Sequence, residues 1–172
     1  MKPRLIILSD LWGKEKSDWV SGYVELLKGK FEIQYYDCCE LGKIDKTNYV
    51  EENIHSQFIN GGIEKAVENL LKIEKSPINI LAFSIGGTIA WKSGLKGLNV
   101  RRLFAVSSTR LRYEDEIPSA AIKLYYGDND NHMPNHNWFD KHSIDFEIIK
   151  NKNHDFYTEK ECTTLICNEI LK

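Results

Sequence analysis

The stretch Pro77-Ile78-Asn79-Ile80-Leu81-Ala82-Phe83-Ser84-Ile85-Gly86-Gly87 constrains the fold more than any other part of the chain. A proline-led apolar run of strand length ends in a serine. Two glycines and a helix-forming segment follow at once. A turn that abrupt lifts the serine side chain clear of a sheet and sets it in front of the unpaired N–H groups of a helix start. Small residues two before and two after the serine let the strand and helix backbones approach, and Ala82 and Gly86 occupy those positions. The alternative role for Ser84 is an ordinary helix N-cap.

The rest of the chain repeats the same strand-then-helix order. Apolar runs at Arg4 to Leu8, Phe31 to Tyr36, Ile78 to Phe83, Arg102 to Val106, Ala121 to Tyr126 and Ile144 to Ile149 read as strands. Helical spacing predicts helices over Lys14 to Lys28, Ile63 to Ile73, Ile85 to Leu95, Asn135 to His142 and Thr158 to Leu171. Asp37 to Asn60 is polar and irregular, with a short helix expected near Tyr49 to Phe58. Strands that are almost wholly apolar and separated by helices predict an α/β/α three-layer sandwich, with a parallel sheet covered on both faces. The 172 residues contain no repeat or linker, so residues 1–172 are expected to form a single domain.

Composition narrows the function classes. Lysine and arginine number 23 and the acids 25, a net charge of −2, which offers no footprint for nucleic acid or an anionic membrane. Leu5-Ile6-Ile7-Leu8 is too short for a signal-peptide core, and no apolar run reaches membrane-spanning length. A cytoplasmic location follows as the expectation. Cys38, Cys39, Cys162 and Cys167 show no C-x-x-C spacing and are expected to be reduced thiols, the first two facing opposite sides of a strand end.

A serine nucleophile needs a base to take its proton and a third group to hold that base. Two later strand ends offer them. Gly127-Asp128-Asn129-Asp130 follows the fifth strand, with either aspartate available, and Asn153-His154-Asp155 follows the sixth. Each could be a plain solvated turn. Serine, acid and histidine nevertheless fall on the same edge of a parallel sheet, in the order Ser…Asp…His. His55, His132, His136 and His142 have no such context. His132 and His136 stand four apart, but no further ligand cluster accompanies them and no metal site is expected.

Ala82-Phe83-Ser84-Ile85-Gly86-Gly87, Gly127-Asp128-Asn129-Asp130 with Pro134, and Asn153-His154-Asp155-Phe156 together resemble the α/β-hydrolase family. The resemblance spans almost the whole chain. It implies a catalytic Ser84, His154 and Asp130, because the family's acid follows a G-x-x-D pattern with a proline about four residues later. It implies six strands in local order 2-1-3-4-5-6, a minimal form lacking the first two strands of larger members. Only residues 107 to 120 separate the fourth and fifth strands, which leaves no room for a cap and suggests a shallow, open site. The family's histidine-glycine oxyanion turn is replaced by Ser9-Asp10-Leu11-Trp12-Gly13. The implied oxyanion donors are the backbone N–H of Ile85 and that of Leu11 or Trp12. Asp10 is then expected to point away, toward N–H groups of its own loop. Trp12 and the Ser107 to Pro118 loop are expected to line an acyl pocket.

The implied activity is cleavage of a small-molecule carboxylic ester or thioester through an acyl-enzyme, with no cofactor. The alternative is a catalytically silent relative acting as a binding or interaction module. A nucleotide-binding fold is disfavoured, since the loop after the first strand lacks G-x-G-x-x-G spacing.

Overall fold

The computed structural model describes residues 2–172. Among these, six strands form one sheet: β1 (Arg4–Leu8), β2 (Glu32–Tyr36), β3 (Ile78–Phe83), β4 (Val100–Val106), β5 (Ala121–Gly127) and β6 (Asp145–Ile149). Their order is β2-β1-β3-β4-β5-β6, as the family resemblance implied, and every pairing is parallel. Leu8 pairs with Ala82, Ala82 with Ala105, and Gly127 with Ile149, so the C-terminal strand ends share one edge.

Alternate strand residues explain why the runs are apolar throughout. Leu5, Ile7, Leu81, Phe83, Phe104 and Val106 face α1 (Val20–Leu27) and α7 (Lys160–Leu171). Ile6, Leu8, Ile80, Ala82, Leu103 and Ala105 face the opposite layer. That layer contains α2 (Cys38–Gly42), α4 (Ile63–Ile73), α5 (Ile85–Leu95) and α6 (His136–His142). All six residues of β3 are buried, and α5 is buried along most of its length because it lies in the middle of its layer. Among the described residues, no helix is long and apolar enough to cross a membrane.

Three expectations need correction. The helix expected over Lys14 to Lys28 begins only at Val20, after a separate 3-10 turn at Gly13–Lys16. The cause is Asp37, whose carboxylate accepts the Lys14 N–H at 3.0 Å and holds this turn against the loop after β2. Gly13 permits the approach, having φ +68° and no Cβ to overlap that carboxylate. Nor is the stretch after Asp37 irregular. The same aspartate caps α2 by accepting the N–H groups of Cys39 and Glu40. Cys38 and Cys39 therefore lie in the first turn of a buried helix, not on a strand end. Their thiols donate to the carbonyls of Ser9 and Leu11, at 3.1 and 3.2 Å. All four cysteines are free, and burial pushes the Cys39 thiol up to about 12.

The short helix near Tyr49 to Phe58 is present as α3 (Glu51–Gln57), followed by a wide turn through Gly61-Gly62 into α4. The remaining elements match to within about two residues, the usual uncertainty of an element end.

Gly86 sits where α5 crosses the end of β1, and a Cβ there would overlap the backbone oxygen of Ser9. Backbone on both sides leaves nothing flexible to yield. Gly86→Ala is expected to destabilise the fold by at least about 2 kcal/mol in urea unfolding, the upper range for overpacking.

Candidate active site

The site is built on the turn from β3 to α5. Ser84 has φ 51° and ψ −119°, a left-handed backbone uncommon for a residue with a Cβ. Three hydrogen bonds hold it there. The Ser84 N–H donates to the Val106 carbonyl at 2.9 Å, and the Ser84 carbonyl accepts from Gly87 at 3.0 Å and Thr109 at 3.4 Å. The second glycine is needed as well, since a Cβ on Gly87 would overlap the Ser108 hydroxyl. The Ser84 side chain makes no cap hydrogen bond, so the N-cap alternative fails. Its Oγ lies 3.0 Å from Nε2 of His154.

Nδ1 of His154 lies 2.9 Å from Oδ2 of Asp130. The other oxygen, Oδ1, accepts the His132 backbone N–H at 2.9 Å. The Asp130 side chain is 0% exposed and that of His154 is 32% exposed. Burial works to raise the Asp130 carboxyl. The hydrogen bond and charge of His154, with the His132 N–H, outweigh it and hold the group below its usual value. Asp128, the competing acid, is exposed and accepts the Lys152 N–H from the turn after β6 at 3.2 Å. That turn also receives the Asn129 N–H at the Lys152 carbonyl, at 3.0 Å. A Cβ on Gly127 would overlap the carbonyls of Lys152 and Asn153. The loops carrying Asp130 and His154 thus pack directly together, and Asp128 fastens them without touching the histidine.

The loop after β1 departs from expectation. Asp10 does bind its own loop, but the N–H it accepts is that of Trp12, at 2.9 Å. Its second oxygen accepts the Tyr157 hydroxyl at 3.1 Å. The residue is 4% exposed and lines the cavity in front of Ser84 instead of pointing away from it. Burial pushes its carboxyl up to about 6, against the lowering effect of those two hydrogen bonds. The Trp12 N–H, one of the two donors expected from this loop, is therefore already engaged, while Leu11 and Ile85 both line the cavity beside Ser84.

The cavity measures about 850 Å³. Leu11, Trp12, Ser84, Ile85 and His154 line it as expected, but Thr109 is the sole contribution of the Ser107 to Pro118 loop. That loop is drawn away by the Trp91 indole, which donates to the Glu116 carbonyl at 3.1 Å, and by the Trp138 indole, which donates to Glu114 at 3.0 Å. Its place is taken by Glu51, Glu52 and His55 of α3 and by Tyr157 and Thr158. Tyr157 belongs to an aromatic cluster with Trp19 and Phe83, at ring distances of 4.9 and 5.2 Å.

His132 and His136 part company. His136 packs on Phe146, whereas the His132 ring meets that of His154 edge to face at 4.9 Å in the cavity wall. Burial and the neighbouring His154 lower the His132 imidazole from its ordinary value. The sequence signal for His132 was its position two residues after Asp130. Tyr157 and α3 carried none.

Asp10 allows a test of this electrostatic picture. Its pKa is higher folded than unfolded, so the folded state keeps the proton longer, and this stability is lost as pH rises from about 4 to about 6. Asp10→Asn is expected to gain on the wild type across that interval, by roughly 2 kcal/mol, read from urea unfolding at pH 4 and pH 8. An unchanged difference between the two pH values would show that Asp10 titrates normally.

Comparison with known proteins adds the fold family. No sequence-family model matches the chain, and no curated protein matches it in sequence. Solved structures do match. A protein from Xanthomonas campestris pv. campestris, described as a hydrolase of the alpha/beta superfamily, has a TM-score of 0.72 at 16% identity, covering 99% of this chain and 98% of its own. An alpha-beta serine hydrolase homologue from Coxiella burnetii gives 0.67 at 17% identity, covering 99% and 89%. Est1E from Butyrivibrio proteoclasticus gives 0.68 at 12% identity, covering 99% and 87%. Sheet order, the Ser84 turn and these full-length superpositions lead to one conclusion: the chain has the α/β-hydrolase fold.

Proposed function

We propose that the protein is a serine hydrolase of small carboxylic esters or thioesters. One observation carries this reading: Ser84 Oγ, His154 and Asp130 form an unbroken hydrogen-bonded chain whose serine and histidine line a cavity. The names of the similar structures, which include hydrolases and an esterase domain from Rhodothermus marinus, support it at the level of reaction class.

Ser84 Oγ attacks the substrate carbonyl carbon while Nε2 of His154 takes its proton. Asp130, held ionised, fixes the ring with Nδ1 protonated and stabilises the imidazolium. The negative oxygen formed on the substrate accepts the N–H groups of Ile85 and Leu11. Collapse expels the alcohol or thiol, which receives the proton from His154, and leaves an acyl group on Ser84. Water then attacks with the same histidine as base, releasing the acid and restoring the serine. The partner implied is a small acyl compound. The near-neutral charge gives no reason to add nucleic acid.

Asp10 favours a second reading. A carboxylate beside the oxyanion position, engaging the Trp12 N–H, opposes the charge that must develop there. On that reading the cavity binds acyl compounds without cleaving them.

Labelling separates the two. A fluorophosphonate probe is expected to modify the wild type at Ser84 and to leave Ser84→Ala unmodified. Hydrolysis of p-nitrophenyl butyrate should fall by at least about ten-thousandfold in that variant. A folded Ser84→Ala protein that keeps its activity would exclude the serine mechanism, and an unreactive wild type would favour the binding module.

A further inference from the structure

The proposed mechanism leaves His132 unused, although its ring lines the cavity and touches His154. Asp130, His132 and His154 each offer one donor atom, and the three atoms lie within 4.8 Å of one another. Donors on a tetrahedral zinc ion at about 2.1 Å stand roughly 3.4 Å apart. Asp130 Oδ2 and His154 Nδ1 stand 2.9 Å apart, and the three donor atoms all lie within 4.8 Å of one another, so a modest rearrangement of these side chains would bring them to that spacing. Two neutral nitrogens and one carboxylate suit zinc and its first-row neighbours, and the cavity supplies water for a fourth position.

We propose that Asp130, His132 and His154 form a transition-metal site whose occupation switches the catalytic histidine off. The site rests on the donor geometry alone, and its inhibitory effect rests on the serine-hydrolase reading. The chemistry of the block does not depend on which nitrogen of His154 binds. An ion on Nε2 occupies the lone pair that would receive the Ser84 proton. An ion on Nδ1 requires the other tautomer: the ring gives up its Nδ1 proton to solvent, takes one proton back from solvent at Nε2, and loses the bond to Asp130, so Nε2 has no lone pair to accept the Ser84 proton. Asp130 is buried, so the two half-buried imidazoles form the entrance. His136 lies against Phe146, outside the cluster, although its spacing from His132 is what suggests a metal pair in the sequence.

The test uses the full untagged chain, stripped with a chelator and returned to chelator-free buffer. Zinc chloride is titrated by calorimetry and, in parallel, into p-nitrophenyl butyrate hydrolysis. One zinc per chain is expected, with inhibition at the same concentration and recovery on adding EDTA. His132→Phe, which keeps an aromatic edge against His154, should bind zinc at least about tenfold more weakly and resist inhibition to match. His132→Gln gives the same comparison if the phenylalanine variant folds poorly, and His136→Phe should behave as wild type. Wild type that binds no zinc, or His132 variants that bind it equally well, would overturn the site. Activation by zinc would overturn the inhibition. Zinc bound through His132 in a chain that cleaves no ester would uphold the site while refuting the serine reading.

Discussion

The left-handed backbone of Ser84 is the constraint on which the rest of the structure depends. It costs conformational energy, and the sheet around it supplies the compensation. Val106 on the neighbouring strand receives the Ser84 N–H, while Gly87 and Thr109 donate to its carbonyl. These bonds exist only because β4 lies beside β3 and because two glycines let α5 start against Ser9 and Ser108. A serine so held points its hydroxyl outward, and the loops after β1, β5 and β6 all end within its reach.

Around this serine the acids are differentiated by their surroundings. Asp130 is buried but meets an imidazole and a backbone N–H, so its charged form prevails. Asp10 is buried with a tyrosine hydroxyl and one N–H, and there desolvation prevails. Asp37, also buried, meets N–H groups from two elements and the Lys46 ammonium at 3.3 Å, and fastens the 3-10 turn to α2. Asp128 stays in solvent and only ties two turns together. One residue type thus serves as histidine-bonded acid, buried cavity wall, structural clamp and turn fastener. Burial and partners, not sequence spacing, assign those roles.

Much of this was legible in the sequence. Apolar runs at Leu5–Leu8 and Ile78–Phe83 specified strands buried on both faces. Ser84 with its glycines specified the turn, and the chain order of Asp130 and His154 specified what should meet it. The choice of Asp130 over Asp128 came from family resemblance, and only packing explains it: Asp130 turns under His154 while Asp128 turns out. The helix expected from Lys14 failed because a side chain from Asp37, distant in sequence, captured its first turn. The cysteines were misread for the same reason, since Asp37 caps a helix where local pattern suggested an irregular loop.

By itself the sequence determined the strands and their covered, parallel arrangement, the tight turn and the identity of the groups at three strand ends, while the strand order came from the family resemblance. These depend on hydrophobic periodicity and on steric limits that act over a few residues. Tertiary structure alone decided that α3 and Tyr157 would wall the cavity and that Asp10 would take the Trp12 N–H. It also decided that His132 would face His154 instead of pairing with His136. Each of those outcomes turns on side chains from separate elements meeting in a region shielded from water. Such meetings fix hydrogen-bond partners and protonation through burial, a quantity that no local stretch of sequence contains.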